Sequence, residues 1–279
     1  LITSSAASDV YKRQPLSKIL FLNFIMQSVR KIGLIIGLLV FIIGASNLYD
    51  ITFPLMFAGV IIFLISLEKV HKEGYRLFTI SMLISFGMEF VFQPLSIFLY
   101  IFSLFVLWFF RDPERNTPSD NNAVISPADG TICKIDQAPM PKETSLGNEA
   151  CLRVCIFMNV VNVHVNRAPI SGIIDDIIYI AGKFFVASLD KASEHNERNI
   201  LVMQNKKNEK IVSVQIAGLV ARRILSFVEK STSLKAGERF GLIRFGSRVD
   251  VYMPLHYSTQ LKEGDKVTAG ESIIASSST

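Results

Sequence analysis

The chain has 279 residues and a net charge of +5, with 29 Lys and Arg against 24 Asp and Glu. Only 19% of the residues are charged, half are hydrophobic, and the hydrophobic excess lies before position 111. A globular core would spread its apolar residues along the chain, so this distribution excludes an ordinary soluble enzyme. The composition also excludes a disordered chain, a collagen and a nucleic-acid-binding tail, and we expect no nucleic-acid partner.

The three cysteines, Cys133, Cys151 and Cys155, are odd in number and have neither C-x-x-C spacing nor paired histidines nearby. This pattern gives little support to a disulfide framework or a zinc site. We therefore predict reduced thiols in the core and no metal site.

Residues 1–14 are polar and do not have the basic-then-apolar order of a signal peptide. We interpret them as a non-native, adapter-derived segment and leave them out of the fold prediction. Residues 15–110 form a predicted membrane region, and residues 111–279 form the domain that follows it.

The membrane region contains three apolar stretches. Residues 33–49 and 51–67 have no charge, and each is near the shortest length that crosses a bilayer. Residues 77–110 have one charge and a Gln93-Pro94 break, which makes them two short spans or one kinked span. With four spans, all the basic flanking segments lie in the cytoplasm, as the positive-inside rule requires. We expect four spans, with three as the alternative, rather than the buried helices of a soluble protein.

The domain from 111 to 279 is more polar and is predicted to be a strand-rich α+β domain. Helical periodicity is weak and limited to SLDKASEHNERN (188–199) and LVARRILSFVE (219–229). The predicted fold class is therefore membrane-anchored α+β, with N-terminal transmembrane helices followed by this domain. Short β-type runs separated by turn residues occur at 151–158, 162–165, 172–180, 199–204, 210–218 and 241–245.

Three segments of this domain contain candidate catalytic residues. Pro and Gly around Asp129 predict a tight turn that fixes its carboxylate, His164 lies inside an apolar strand pattern, and Gly246-Ser247 interrupts another strand. Taken separately, each also fits a structural role: a turn-capping aspartate, a core histidine and a β-bulge.

Together and in this order, the segments resemble the short-form phosphatidylserine decarboxylases of bacteria. The resemblance covers residues 71–279 and rests on FFRDPER, ISPADG, VHVNRAP, NERN, QIAGLVARRI and GERFGLIRFGSR. It implies a zymogen of phospholipid biosynthesis that processes itself and converts phosphatidylserine to phosphatidylethanolamine and CO2. It also implies a pyruvoyl group, made from a serine, in place of a bound cofactor. The implied location is the bacterial inner membrane, with the catalytic domain on the cytoplasmic side.

The resemblance implies cleavage between Gly246 and Ser247. Ser247 is the nucleophile, with His164 as its base and Asp129 to orient the histidine. The products are chains 1–246 and 247–279, the second beginning with the pyruvoyl group that forms a Schiff base with the lipid amine. The 33-residue chain is too short to fold alone, so we expect a heterodimer of the two chains, with a higher homo-oligomer left open.

Other branches of the family have two histidines three residues apart here, whereas this chain has Arg167 at the second position. Whether His164 serves both maturation and decarboxylation is therefore open. The substrate also carries an anionic phosphate, which makes arginines candidate headgroup contacts. Six arginines are candidates: Arg111, Arg115, Arg167, Arg198, Arg222 and Arg223.

Two other functions are considered. Residues 125–132 and 261–273 look like the two halves of a biotinyl or lipoyl carrier barrel. The tripeptide DKA at 190–192 resembles the segment around a lipoylated lysine. On this alternative, the protein is a non-enzymatic carrier or membrane adaptor. A serine hydrolase would use the same triad, but Ser247 lacks the G-x-S-x-G elbow.

Overall fold

The computed structural model describes residues 16–46, 52–147, 149–182, 195–218, 223–244 and 247–277. The chain divides after Arg111 into two compact units. The segment 1–14, interpreted above as non-native, lies outside the described residues.

The first unit is helical. Pro94 lies in the first turn of the fourth helix, where a backbone N–H has no partner within the helix, so the proline costs no hydrogen bond there. The predicted break at Gln93-Pro94 is therefore the start of a new helix. Among the described residues, one helix is long and apolar enough to cross a membrane, through Ile25–Ile42. The number of membrane spans stays a prediction. The helices are α1 (Leu16–Ser46), α2 (Thr52–Ser66), α3 (Lys72–Glu89) and α4 (Gln93–Phe109).

The second unit is built from strands, which confirms the strand-rich character predicted for this domain. A short 3₁₀ helix, Lys142–Thr144, interrupts them. The strands are β1 (Ala123–Ile125), β2 (Gly130–Pro139), β3 (Ala150–Met158), β4 (Val165–Arg167), β5 (Gly172–Ile180), β6 (Arg198–Gln204), β7 (Lys210–Ala217), β8 (Ile224–Ser226), β9 (Ser233–Leu234), β10 (Arg239–Ile243), β11 (Ser247–Pro254), β12 (Tyr257–Ser258), β13 (Lys266–Val267) and β14 (Ile273–Ser277).

Eight of these strands form one antiparallel sheet in the order β13-β2-β3-β11-β7-β6-β5-β9. Two three-stranded sheets, β1-β14-β12 and β4-β10-β8, complete the unit. Side chains alternate between the faces of a strand, so β11 sends Val249, Val251 and Met253 to one face and Arg248 and Asp250 to the other. The first face forms the main hydrophobic core with side chains from both small sheets.

The predicted helix at 219–229 is wrong in the part that the structure describes. Residues 224–226 form β8, whose three residues pair with Gly241, Leu242 and Ile243 of β10. Pairing with an existing strand satisfies the backbone and outweighs a weak helical periodicity. The other predicted helix, 188–199, lies largely outside the described residues, and its last two residues begin β6.

Candidate active site

Ser247 is the first residue of β11, a central strand of the large sheet. Its neighbours across the two ladders are Met158 at the end of β3 and Ala217 at the end of β7. The side chain is fully buried, and its hydroxyl donates to the sulfur of Met158 at 3.4 Å. A thioether is a weak acceptor, so this contact orients the hydroxyl without holding its proton strongly.

His164 lies immediately before β4 and is also fully buried. Its Nδ1 is 2.9 Å from the backbone carbonyl oxygen of Asn162. A carbonyl oxygen only accepts, so a neutral ring that makes this hydrogen bond carries its proton on Nδ1 and keeps a lone pair on Nε2. The arrangement leaves Nε2 as the nitrogen that can act as a base.

The strand after His164 lies against the same face of the large sheet as Ser247. The Asn166 amide nitrogen is 3.8 Å from the Met158 sulfur that accepts the Ser247 hydroxyl. The His164 carbonyl accepts from the N–H of Ile243, four residues before Ser247. The structure therefore brings the segments of the predicted nucleophile and base together in one buried region.

Asp129 occupies the tight turn predicted from its Pro and Gly neighbours. Its carboxylate accepts from Arg115 at 2.9 and 3.1 Å and from the backbone N–H of Ala269 at 2.7 Å. The next residue must be glycine, because a Cβ on Gly130 would lie 2.2 Å from the carbonyl oxygen of Phe157. The turn is thus fixed, while the orienting of His164 by Asp129 stays a prediction.

A chain of buried amides, which the sequence reasoning missed, crosses the site. Asn199 donates to Gln215 at 2.9 Å, and Gln215 donates to Asn166 at 2.8 Å. Asn166 in turn donates to the carbonyl of Pro127 at 3.3 Å. The chain links β6 and β7 to the strand after His164 and to the turn that holds Asp129. The three amides lie in NERN, QIAG and VHVNRAP, but only strand register shows that they meet.

Several of the six candidate headgroup arginines have partners within their own unit. Arg167 donates to the carbonyls of Gly237 and Pro113 and pairs with Asp112, and Arg115 pairs with Asp129.

Of the remaining four, Arg198 pairs with Glu143, and the guanidinium of Arg111 lies 4.1 Å from the ring centroid of Trp108. Arg223 is exposed, and Arg222 lies outside the described residues. The headgroup role of all six stays a prediction.

The opposite face of β11 carries a buried ion pair that the sequence reasoning also missed. Arg248, next to Ser247, donates twice to Asp250 at 2.7 Å, and both side chains are almost completely buried. Burial raises the pKa of the neighbouring Cys155 thiol, and Asp250 raises it further. Two of the three cysteines are buried and Cys133 is half-buried, and none of the three forms a disulfide in the structure; their reduced state stays a prediction.

Comparison with known proteins adds the family. A sequence profile described as phosphatidylserine decarboxylase matches residues 102–275. The chain belongs to the phosphatidylserine decarboxylase family. Proteins named phosphatidylserine decarboxylase proenzyme from Rickettsia bellii and Azorhizobium caulinodans are each 48% identical to it, over 74% and 75% of this chain and 89% and 90% of their own. One from Rickettsia akari is 47% identical over 74% of this chain and 89% of its own.

Family membership confirms the resemblance drawn from the sequence and the assignment to a decarboxylase. The carrier alternative is not favoured by it. The two barrel-like segments do meet, because Gly130 of β2 pairs with Val267 of β13. The lysine that would carry a lipoyl group lies in 190–192, outside the described residues.

Proposed function

We propose that the protein decarboxylates phosphatidylserine to phosphatidylethanolamine, using a pyruvoyl group formed from Ser247 when the chain cleaves itself after Gly246. Relatives named as proenzymes support an enzyme made as a precursor. The observation that carries the proposal is the buried hydroxyl of Ser247 at the first residue of a central strand, in the same region as the buried His164. These residues fit the formation of the group.

Self-cleavage begins with attack on the backbone. The Ser247 oxygen bonds to the carbonyl carbon of Gly246, its proton passes to Nε2 of His164, and the peptide C–N bond breaks as the Ser247 nitrogen takes up a proton. The product is an ester. Loss of the Ser247 Cα proton expels the Gly246 carboxylate, and water then replaces the nitrogen as ammonia, which leaves a ketone at position 247.

The pyruvoyl group, once formed, supplies the electron-withdrawing carbonyl that decarboxylation of an amino acid requires. The chain's own residues position it and manage protons. Strand β11 holds residue 247 through its ladders with β3 and β7. His164 can return a proton from Nε2, a role that typically accelerates a reaction by about 10²- to 10⁴-fold. The two self-cleavage chains remain together as a heterodimer.

The substrate is a membrane lipid, and the apolar helix through Ile25–Ile42 supports attachment to a membrane. We place the protein at the bacterial inner membrane with its second unit in the cytoplasm, as the flanking basic residues predict. Of the five candidate arginines that the structure describes, exposed Arg223 is the best-placed contact for the lipid phosphate, since Arg115, Arg167 and Arg198 already pair with carboxylates and Arg111 lies over the Trp108 ring.

The test is intact-mass spectrometry of the purified full chain. Wild-type protein should give two chains, one of which starts with a pyruvoyl group at residue 247, and Ser247→Ala should give one uncut chain. Ser258→Ala, at an exposed serine of the same segment, is the matched control and should be cut normally. An uncut, unmodified wild-type chain from its native membrane would refute the proposal.

His164→Ala separates the two stages. Self-cleavage is scored by the same mass measurement, and turnover of phosphatidylserine is measured on whatever mature protein forms. Normal cleavage in this variant would remove His164 from maturation, and normal turnover by its mature form would remove it from decarboxylation.

A further inference from the structure

We infer that the turn formed by Asn159, Val160, Val161 and Asn162 inserts its two valines into the boundary region of a lipid bilayer, beside the Ser247 site. This goes beyond the proposed function and rests on it for the nature of the substrate. Four observations carry it: the position of the turn, its rigidity, the groups that share its edge, and its contact with His164.

The turn lies at the edge of the large sheet where Ser247 lies. It follows Met158, the last residue of β3, and Met158 is paired with Ser247. The exposed turn between β6 and β7, residues 205–209, lies at the other end of these strands, because β7 begins at Lys210 and reaches Ser247 only at Ala217. One edge of the sheet therefore holds both the site and the two valines.

The turn presents the valines rigidly. The Asn159 side chain accepts from the N–H of Val161 at 3.0 Å, and the Asn162 side chain accepts from the N–H of Asn159 at 2.9 Å. Val160 is nevertheless 43% exposed and Val161 57% exposed. β-Branched apolar residues are unusual at the centre of a turn, where Gly, Pro, Asn, Asp and Ser dominate. A single exposed valine would need no explanation, but two at the tip of a braced turn suit an apolar partner.

Groups typical of a membrane boundary share this edge. Tyr179 is 58% exposed and is the penultimate residue of β5. Strand β5 lies four strands from β3 in the large sheet, so about 19 Å separates the two strands at about 4.8 Å per strand. Exposed Arg223, which precedes β8 of a small sheet, lies near His164: its carbonyl accepts from the N–H of Arg244, and the N–H of the preceding Ile243 donates to the His164 carbonyl. An aromatic phenol, a cation and apolar side chains are the groups that contact the headgroup level of an anionic bilayer.

The same turn contacts the site directly. The carbonyl of Asn162 holds Nδ1 of His164 at 2.9 Å. A lipid that enters between the turn and the Arg223 side of the edge would thus arrive beside the imidazole and the first residue of β11. The partner that fits this edge is the bilayer that contains the substrate, rather than a soluble protein.

The first test measures depth in the membrane. Full-length protein with Cys133→Ala, which removes the half-buried thiol, carries an environment-sensitive fluorophore at Val161→Cys or at the control Lys206→Cys in the distant turn. Both are reconstituted in nanodiscs of phosphatidylcholine and phosphatidylglycerol, one chain per disc. Nitroxide-labelled lipids should quench the probe at 161 and spare the probe at 206. Equal quenching by aqueous iodide at the two positions would overturn the inference.

The second test measures function. The double variant Val160→Ser with Val161→Ser should raise the KM for phosphatidylserine in vesicles about tenfold. This is the factor expected when the protein loses the transfer of two half-exposed valine side chains from water into the apolar bilayer. The kcat, and turnover of a short-chain phosphatidylserine dissolved below its micelle concentration, should not change. Equal impairment on the dissolved substrate would overturn the inference, because the turn would then act through His164 alone.

The two proposals fail in different ways. Self-cleavage is measured on every sample, so loss of cleavage in wild-type protein refutes the pyruvoyl mechanism while the quenching result still reports membrane contact. Quenching at 161 that appears only with two chains per disc would show a contact between copies and would also overturn the inference.

Discussion

Replacement of Arg167 by Gln tests whether this arginine stabilises the fold or binds the lipid headgroup. Its side chain is 5% exposed and its partner Asp112 4% exposed. The guanidinium donates to Gly237 and Pro113 at 2.8 and 2.7 Å, in addition to Asp112 at 3.2 Å. Burial, reinforced by Arg239, lowers the pKa of Arg167, which is the environment of a structural charge rather than of an open anion site.

The magnitude follows from these contacts. Breaking a buried ion pair costs about 3–5 kcal/mol. Because Arg239 still pairs with Asp112 in the variant, we take the lower value, about 3 kcal/mol. A domain of this size loses about 2–4 °C of unfolding temperature per kcal/mol, so Arg167→Gln should lower the midpoint by about 6–12 °C. Arg167→Lys keeps the charge but has no planar guanidinium to reach all three acceptors, so its unfolding midpoint should lie between those of the wild type and Arg167→Gln.

The assay is the temperature at which the second unit of detergent-solubilised full chain becomes sensitive to a brief protease pulse. Arg223→Gln is the matched control: its side chain is exposed, so its midpoint should stay within about 1 °C of wild type while its KM for phosphatidylserine rises. An unchanged midpoint with a raised KM in Arg167→Gln would show that Arg167 binds the headgroup and that its buried pairing is dispensable.

Three further outcomes are expected. Gly130→Ala should destabilise the second unit and abolish cleavage, since its Cβ would lie 2.2 Å from a backbone oxygen of β3; unaltered thermal unfolding would contradict this. Burial raises the pKa of Cys151 and Cys155, so iodoacetamide at pH 8 should leave both unmodified in folded protein, as peptide mass spectrometry can check. The hydrogen bond from Arg153 lowers the pKa of Asp136. The pair therefore stabilises the folded protein at pH values above the unfolded pKa of about 3.9, and this stabilisation is lost as the pH falls through the folded pKa. In unfolding measured as a function of pH, Asp136→Asn should make the loss of stability on the acid side less steep.

Local patterns in the sequence were enough to predict several of the longer strands. The run 172–180 is β5 to the residue, and 199–204 and 210–218 match β6 and β7 within one residue at an end. The run 162–165 was less accurate, since β4 is Val165–Arg167 and the residues before it form the braced turn and His164. Side-chain hydrogen bonds in the turn set the point at which β4 begins, and the alternation of apolar residues in the sequence carries no information about such hydrogen bonds.

The sequence predicts the candidate residues of the site but not the connections between them. The sequence singled out Ser247, His164 and Asp129 because hydroxyl, imidazole and carboxylate groups occurred at the family's motifs. The amide chain from Asn199 to Asn166 depends on which strands are neighbours, and strand order in a sheet is a long-range property. The same limit explains why the sequence does not show that Arg167 is buried against a carboxylate: a partner 55 residues away, as Asp112 is, leaves no local signal.

The position of Ser247 reconciles cleavage of the backbone with a stable fold. Strand β11 pairs with β3 along all eight residues from Ser247 to Pro254 and with β7 along the first six. A break before residue 247 removes no residue from either ladder, whereas a break inside the strand would divide both. The segment after the break also supplies β14 to a small sheet and β13 to the edge of the large one. Residue 247 can therefore become a chain terminus while the ladders on both sides still fix where it lies.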